Sequence, residues 1–245
     1  MTSEDQSPVV VVTGAAGGIG SASVRRLISE GMQVVATDLD VESVRSLSPH
    51  HFALDVTDPD DVQDVMGRIL NRLGHVDVLV NNAGITGSQQ ATSAGETPID
   101  EFDRVIAVNV RGPFLCTRSL LPSMIAAGSG QIITIASVAG LIAFPGRCAY
   151  TTSKGAALMF ARSVAVDYGP LGIRSNAICP GMVETPMTQW RLDQPELRAK
   201  VEAMVPIGRV AQPEDVADTV ALLASGRMAY ANGSAIVIDG GWSSW

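Results

Sequence analysis

The sequence is poor in charge, in aromatic side chains and in residues that bind metals. Of its 245 residues, 17% are charged and 4% are aromatic, and cysteine and histidine occur three times each. The formal net charge of −8 disfavours nucleic-acid partners, because these require a basic face. No apolar run is long enough to span a bilayer, and no N-terminal segment has the layout of a secretory signal. We therefore expect no membrane or nucleic-acid partner and a cytoplasmic location.

The cysteines and histidines show no pattern of a disulfide or metal site. Cys116, Cys148 and Cys179 are far apart and form no Cys-x-x-Cys pair, which is typical of free thiols in a reducing compartment. No carboxylate–histidine grouping accompanies the histidines, so we expect no metal.

Apolar residues, 46% of the chain, are arranged as short β-branched runs that alternate with helical patterns. The runs predict strands over residues 9–13, 33–37, 52–55, 76–80, 131–136, 173–178 and 235–238. Helices are predicted over residues 18–30, 41–47, 59–73, 99–127, 150–168 and 213–223, with an interruption of the fourth at Gly112-Pro113. This alternation predicts an α/β fold, in which helices cover both faces of a doubly wound parallel sheet. We expect a flexible tail over residues 1–8, one domain over residues 9–245, and an irregular candidate lid over residues 180–208.

A glycine-rich turn follows the first predicted strand. It contains Gly14, Gly17, Gly18, Ile19 and Gly20. Such a turn lets the backbone approach a pyrophosphate, and the helix N-terminus adds N–H donors and a positive dipole end. Close strand–helix packing alone also produces glycine-rich turns, so the motif by itself is weak evidence.

An acidic residue after the second predicted strand strengthens the dinucleotide interpretation. Asp38, followed by Leu39, lies where a carboxylate can hydrogen-bond the adenosine ribose hydroxyls. The same carboxylate would repel a 2′-phosphate, and no Arg or Lys occurs at positions 15–18 or 37–41 to attract one. The pattern therefore predicts NAD and not NADP as the cofactor.

Two further turns follow predicted strands at the same edge of the sheet. Asp55 and Val56 come after the third strand and are candidates to contact the adenine. Asn82, Ala83 and Gly84 come after the fourth strand and are candidates to contact the cofactor through small side chains and amides. Each of these features alone is ordinary turn chemistry.

A tyrosine and a lysine spaced by four residues indicate acid–base chemistry. Tyr150 and Lys154 face the same way near the start of a predicted helix. We expect the ammonium and the helix dipole to lower the pKa of the phenol, which makes it a usable proton donor or acceptor for an alcohol/ketone pair. Ser137, at the end of the fifth predicted strand, is a candidate to orient the substrate oxygen.

The combination resembles the short-chain dehydrogenase/reductase family over essentially the whole chain. The matching residues, in order and spacing, are Thr13-Gly14-x3-Gly18-x-Gly20, Asn81-Asn82-Ala83-Gly84, Asn109, Ser137, Tyr150, Lys154 and Pro180-Gly181. The resemblance implies a Rossmann domain with a seven-stranded parallel sheet, usually a homotetramer, and hydride transfer without a metal. It makes Tyr150 the general acid/base and Ser137 the group that stabilises the substrate. Lys154 then holds the nicotinamide ribose and tunes the tyrosine, and Asn109 holds a water that links Lys154 to solvent. Further cofactor contacts are implied at Asn82, Ile178 (through its backbone), Pro180, Gly181, Val183 and Thr185.

The resemblance places the substrate walls after Ser137 and after Pro180. The candidates are Ala139, Phe144, Arg147, Met187, Trp190 and Arg191. Mostly apolar walls favour an aliphatic or alicyclic secondary alcohol. Arg147 and Arg191 raise the alternative of a guanidinium pair that binds the carboxylate of a short hydroxy acid such as 3-hydroxybutyrate, unless both are surface or subunit-contact residues.

Three other functions share parts of the pattern. A 3-oxoacyl-carrier-protein reductase also resembles the chain, but such enzymes generally use NADP, against which Asp38 counts. A non-catalytic nucleotide-binding regulator, or a methyltransferase, would use the glycine turn and Asp38 without needing Ser137, Tyr150 and Lys154 together.

Overall fold

The computed structural model describes residues 7–88 and 92–244, which form an α/β fold around one parallel sheet. The strands are β1 (Val9–Thr13), β2 (Gln33–Asp38), β3 (His50–Ala53), β4 (Val78–Asn81), β5 (Gly130–Ile135), β6 (Ile173–Pro180) and β7 (Ala235–Ile238). Their order across the sheet is β3-β2-β1-β4-β5-β6-β7, and every neighbouring pair is parallel. The predicted doubly wound fold with a seven-stranded parallel sheet is confirmed, and its order reverses between β1 and β4.

Helices cover both faces of the sheet. They are α1 (Gly18–Ser29), α2 (Val41–Arg45), α3 (Pro59–Leu73), α4 (Ile99–Ile106), α5 (Gly112–Ala127), α6 (Cys148–Tyr168), α7 (Pro186–Leu192), α8 (Pro195–Met204) and α9 (Pro213–Ala224). In β1, Val9 and Val11 pack with residues of α3 and α5, whereas Val10 and Val12 pack with residues of α1 and α9. Successive side chains of a strand point to opposite faces, so a strand covered on both sides must be apolar throughout.

The predicted strand boundaries differ from the observed ones by up to two residues, most clearly in the edge strand β3 and in the central strand β4. β3 lies at residues 50–53 instead of 52–55, and β4 at residues 78–81 instead of 76–80. β3 is an edge strand that pairs only with β2, where His50 is opposite Val35. The Nε2 of His50, in β3, lies 2.8 Å from the Nε2 of Gln33, in β2. β3 therefore carries polar side chains, and its apolar pattern is weak. The hydrophobic pattern alone therefore could not predict the bounds of β3 or its register against β2.

The long helical pattern over residues 99–127 is not interrupted at Gly112-Pro113 as predicted. Instead a π-helical turn, Ala107–Arg111, joins α4 to α5, and Pro113 lies in the first turn of α5. Proline is tolerated there because the first turn lacks intrahelical N–H partners. A π-helical turn is common at functional sites, and this one contains the buried Asn109.

The segment predicted to be irregular, residues 180–208, contains α7 and α8. Each begins with a proline at its first turn, Pro186 and Pro195, so these prolines start helices and do not mark a loop. Helix α6 begins two residues earlier than predicted, at Cys148. Most of the predicted tail, residues 1–6, lies outside the described residues. Across residues 7–88 and 92–244, every helix is too short or too polar to traverse a bilayer.

Candidate active site

A cleft of about 510 Å³ opens at the carboxyl ends of the strands. Nearly all the residues predicted to contact a cofactor line it, namely Gly14, Gly17, Gly18, Ile19, Gly20, Asp38, Leu39, Asp55, Val56, Asn82, Ala83, Gly84, Tyr150, Lys154, Pro180, Gly181, Val183 and Thr185. Ile178, also predicted to contact it through its backbone, is fully buried and does not line the cleft. Ser137 and Met187 line it as well. Parallel strands bring their carboxyl ends to one edge, which explains why turns distant in sequence meet here.

Some lining residues were not predicted. They are Ala16, Leu54, Thr57, Ile85, Val108, Ile135, Ala136, Pro186 and Thr188. Most of them are immediate neighbours of predicted residues and carry no polar signal of their own. Val108 is the exception, since it lies in the π-helical turn, which the sequence pattern did not indicate.

Close backbone approach at the glycine turn requires its glycines. Gly14 has a φ of +62°, and a Cβ there would lie 2.7 Å from the Ala83 Cα. A Cβ at Gly20 would lie 2.2 Å from the carbonyl oxygen of Gly14, so α1 can start here only without a side chain.

Asn82 holds the glycine turn in place. Its Nδ2 donates to the carbonyl oxygens of Thr13 at 3.0 Å and Gly14 at 2.8 Å. The Asn82 and Ala83 amides in turn donate to the Thr13 Oγ1, each at 3.1 Å. The Asn82 side chain therefore joins the turn after β4 to the turn after β1.

The carboxylate of Asp38 lies at the entrance to the glycine turn. Its Oδ2 accepts from the Ala16 amide at 2.9 Å, and its Oδ1 accepts from the Leu39 amide at 2.8 Å. These two bonds fix a negative charge at the end of β2, facing the cleft.

The turn after β3 is held by its own side chains. The Asp55 Oδ1 accepts from the Thr57 amide at 2.8 Å and from the Thr57 Oγ1 at 2.7 Å. Val56 is buried, and a Cβ on Gly112 would come 2.9 Å from the Val56 Cγ2. The start of α5 thus supports this wall of the cleft from behind.

Ser137, Tyr150 and Lys154 meet between the end of β5 and the first turns of α6. The Ser137 Oγ accepts from the Ala139 amide at 3.1 Å, and the Ser137 side chain lies near enough to the Tyr150 phenol to lower its pKa. The Lys154 Nζ donates to the carbonyl oxygen of Ile135 at 2.8 Å and lies 5.7 Å from the centre of the Tyr150 ring. The three predicted residues therefore form one cluster.

The electrostatics of this cluster differ from the prediction. Burial raises the pKa of Tyr150, while the hydrogen bond with Ser137 and the charge of Arg147 oppose that rise. Lys154 is not among the groups that lower it. Burial lowers the pKa of Lys154 itself to about 8, with Cys179 opposing the shift. Desolvation exceeds the charge effect here, since Lys154 is buried and Tyr150 is partly buried.

Asn109 lies behind the cleft and not on its lining. It is buried, its Oδ1 accepts from the Ile85 amide at 2.8 Å, and its Nδ2 donates to the Ile85 carbonyl oxygen at 2.8 Å. The side chain thus supports the loop after β4.

Most of the predicted substrate residues lie outside the cleft lining. Met187 alone among the six lines it. Ala139 is buried beneath the surface, and Phe144 packs against Trp242 with ring centres 5.1 Å apart. Ring–ring packing therefore turns Phe144 toward the C-terminal segment.

Arg147, Trp190 and Arg191 form a cluster near Tyr150. The Arg147 guanidinium lies 5.9 Å from the centre of the Trp190 ring and donates to the Ser88 carbonyl oxygen at 2.8 Å. Burial and the neighbouring charge of Arg191 lower the pKa of Arg147, whereas Glu101 and Tyr150 raise it. Arg147 and Arg191 thus influence each other's surroundings through the pKa of Arg147, and neither lines the cleft.

The cysteines are free, with Cys116 and Cys179 buried and Cys148 partly exposed. Within the described ranges, no group of histidine, cysteine and acidic side chains is arranged to hold a metal ion.

Comparisons with known proteins match this geometry over nearly the whole chain. A model of a short-chain dehydrogenase family, described as "Enoyl-(Acyl carrier protein) reductase", matches residues 14–243. The 2-(R)-hydroxypropyl-CoM dehydrogenase of Xanthobacter autotrophicus is 49% identical, with 97% of this chain and 99% of the relative covered. The chain belongs to the short-chain dehydrogenase/reductase family.

Further matches agree with this assignment. The meso-2,3-butanediol dehydrogenase of Serratia marcescens is 38% identical, with 95% of this chain and 93% of the relative covered. The structure of the aldohexose dehydrogenase of Thermoplasma acidophilum superposes with a TM-score of 0.91 at 32% identity, over 98% of this chain and 95% of that one.

Membership of the family confirms the predicted enzyme class. The chain is an oxidoreductase of CH–OH groups that interconverts a secondary alcohol and a ketone. The alternatives of a non-catalytic regulator and of a methyltransferase are therefore set aside.

The buried ammonium of Lys154 predicts a pH-dependent stability. Its pKa falls from 10.5 to about 8 on folding, so below this range the folded protein carries the cost of a buried charge. Between the two values the unfolded chain binds a proton that the folded one does not, and this group's contribution to the free energy of unfolding rises with pH. Lys154→Met removes the charge at every pH. We expect its stability advantage over the wild type to fall by up to about 1.4 kcal/mol for each pH unit between roughly 8 and 10.

Urea unfolding of both proteins at several pH values measures this difference. A difference that stays constant from about pH 7 to about pH 10 would contradict a depressed pKa at Lys154.

Proposed function

We propose that the protein oxidises a secondary alcohol, or reduces the ketone, with NAD as cofactor and Tyr150 as general acid/base. The observation that carries this proposal is the layout of one cleft: Ser137, Tyr150 and Lys154 cluster at one end, and the glycine turn with Asp38 lies at the other. A dinucleotide needs an anion site and a ribose site at one end and a reaction centre at the other.

The residues present fit a dinucleotide. Helix α1 begins at the cleft with no side chain capping its N-terminus, so its first amides are available to a pyrophosphate. The absent side chains of Gly14 and Gly20 allow the backbone to approach closely. We assign the pyrophosphate to this turn, the adenosine ribose to Asp38, the adenine to the wall of Asp55 and Val56, and the nicotinamide ribose to Lys154.

The protein's part in the reaction is proton transfer and positioning. A nicotinamide held beside Lys154 would supply the hydride acceptor for oxidation of the carbinol carbon and the hydride donor for reduction of the ketone. In the oxidation direction, the Tyr150 phenolate oxygen takes the hydroxyl proton of the alcohol; in reduction, the phenol returns it. Ser137, whose side chain acts on the pKa of this phenol and lines the same cleft, is placed to orient the substrate oxygen. Lys154 supplies a positive charge near the phenolate.

Removal of the Tyr150 hydroxyl tests this role. We expect Tyr150→Phe to lower turnover by about two to four orders of magnitude, the usual share of general acid–base catalysis, with little change in NADH affinity. Turnover is followed by NADH absorbance with a panel of secondary alcohols, and affinity by NADH fluorescence. Tyr168→Phe, at the far end of the same helix, is the matched control. Full turnover in Tyr150→Phe would refute the assignment.

We propose NAD over NADP because of the charge at the end of β2. Two backbone amides fix the Asp38 carboxylate where a 2′-phosphate would have to lie. Leu39, the next residue, is exposed and brings no compensating charge. The negative charge of Asp38 would repel the 2′-phosphate of NADP and so weaken its binding.

Reversal of this charge tests the cofactor preference. In the double variant Asp38→Ala/Leu39→Arg, we expect the ratio of kcat/KM for NAD to that for NADP to fall by about tenfold to a hundredfold, the size of one charge-assisted hydrogen bond. Steady-state kinetics with both cofactors at one alcohol concentration give the ratio. An unchanged ratio would sink the assignment of Asp38.

For the substrate, we propose a short secondary alcohol with an anionic tail. The charge of Arg191 lowers the pKa of Arg147, and Arg147 in turn opposes the raised pKa of Tyr150, so the positive charge of Arg147 and Arg191 acts close to the proposed reaction centre. Two like charges held together are stabilised by an anion between them. The relative at 49% identity is named for 2-(R)-hydroxypropyl-CoM, an alcohol whose tail ends in a sulfonate; 3-hydroxybutyrate carries a carboxylate instead.

Truncation of the arginines distinguishes an anionic from a neutral substrate. We expect Arg191→Ala to lower kcat/KM for hydroxypropyl-CoM or 3-hydroxybutyrate by about tenfold or more, the loss of a charge-assisted contact, and to leave cyclopentanol nearly unchanged. Arg68→Ala, an exposed arginine on α3, serves as the control. Equal losses for charged and neutral alcohols would remove the anionic tail from the proposal.

A 3-oxoacyl-carrier-protein reductase is the less favoured candidate, because such enzymes generally use NADP, against which Asp38 counts. We further propose a homotetramer in the cytoplasm. Exposed apolar side chains on α5 and α6, Phe114, Met159 and Val166, support assembly, and the free cysteines fit a reducing compartment.

A further inference from the structure

A buried serine next to the catalytic lysine begins a chain of hydrogen bonds across the site. Ser153 is fully buried, and its Oγ donates to the carbonyl oxygen of Tyr150 at 2.7 Å. A hydroxyl has one hydrogen, so the second contact of this Oγ, with the Asn109 Nδ2 at 2.9 Å, is one in which Ser153 accepts. The serine therefore orients one N–H of the Asn109 amide toward α6.

The remaining groups of the Asn109 amide bind one residue of the loop after β4. Oδ1 accepts from the Ile85 amide, and the other Nδ2 hydrogen reaches the Ile85 carbonyl oxygen, both at 2.8 Å. Asn109 and Ser153 thus link the backbone of Tyr150 to that of Ile85. These hydrogen bonds form a polar connection between α6, the π-helical turn and the loop after β4.

This series of hydrogen bonds ends at the loop after β4, beside Lys154. A Cβ on Gly84 would lie 3.3 Å from the Asn109 Oδ1 and 3.5 Å from the Lys154 Nζ. Gly84, Ile85 and Lys154 all line the cleft. A shift of the Asn109 amide would therefore move the loop relative to the Lys154 ammonium group. Because both line the cleft, its shape at this point would change.

We propose that Ser153 is a positioning residue, which sets the distance between the loop Asn82–Ile85 and Lys154 at the nicotinamide end of the cleft by fixing the Asn109 amide. The inference rests on the proposed function in that the cleft holds a nicotinamide dinucleotide. Serine in a helix often bonds a carbonyl of the preceding turn and does nothing more. The bond that Ser153 accepts from Asn109 distinguishes it from such a serine.

The first measurement concerns the loop alone. In Ser153→Ala the Asn109 amide loses its acceptor on α6, and we expect hydrogen–deuterium exchange in the segment 82–88 to become faster by about threefold to tenfold, consistent with the loss of one hydrogen bond. Ser163→Ala, an exposed serine on the same helix, should leave exchange in this segment unchanged. Unchanged exchange in Ser153→Ala would overturn the proposal without reference to any activity.

The second measurement is a double-mutant cycle on NADH affinity. We expect Ser153→Ala to weaken NADH binding about threefold to tenfold, and to add nothing further in an Asn109→Ala background, because the serine acts through the asparagine. Additive effects would show a separate structural role and would overturn the proposal. Failure of the wild type to bind NADH would refute the proposed function, whereas wild-type affinity in Ser153→Ala would refute this inference alone.

Discussion

A buried ammonium group at the end of β5 determines how the rest of the site is built. The Lys154 Nζ is enclosed by protein, donates to the Ile135 carbonyl oxygen, and has its pKa lowered to about 8 by burial. A buried charge in this position destabilises the fold unless the groups around it accept its hydrogen bonds or carry the opposite charge. The glycine at position 84 leaves space beside the ammonium, and the phenol of Tyr150 lies one helical turn away. The stability of the fold near α6 and the reactivity of the site therefore depend on the same group.

Burial also accounts for the raised pKa of Tyr150. The phenol must be desolvated to exclude water from the reaction, and desolvation opposes ionisation. Ser137 and Arg147 counter this effect in the structure. Arg147 thus has two consequences: it shifts the phenol toward ionisation, and it places positive charge near the substrate side of the site. A substrate anion bound to Arg147 would offset part of the charge that favours the phenolate. An anionic substrate tail at Arg147 would therefore be coupled electrostatically to the Tyr150 phenol.

The sequence predicts the sheet and the cofactor side of the site well, and the substrate side poorly. Val9–Thr13 is buried on both faces, so its apolar run and the glycines after it follow from constraints that act within a few residues. Most predicted cofactor residues lie in turns that follow strands, where the parallel topology brings them to the cleft, whereas Tyr150 and Lys154 reach it from α6. Phe144 and Arg147, in contrast, lie in the β5–α6 connection, and their directions are set by Trp242, Trp190 and Ser88, which are distant in sequence. Neither periodicity nor spacing encodes such contacts.

The π-helical turn shows why a local pattern can hide a functional element. The stretch 99–127 reads as helical with a break at its glycine and proline, yet the chain continues through that pair and inserts the extra residue before it. The insertion is stabilised by what it reaches: the Asn109 amide bonds Ile85 and Ser153, and Gly112 packs on Val56. One irregular turn therefore supports the loop beside Lys154 and the wall beside Asp55. Because its partners come from three other elements, the residues of the turn alone do not specify it.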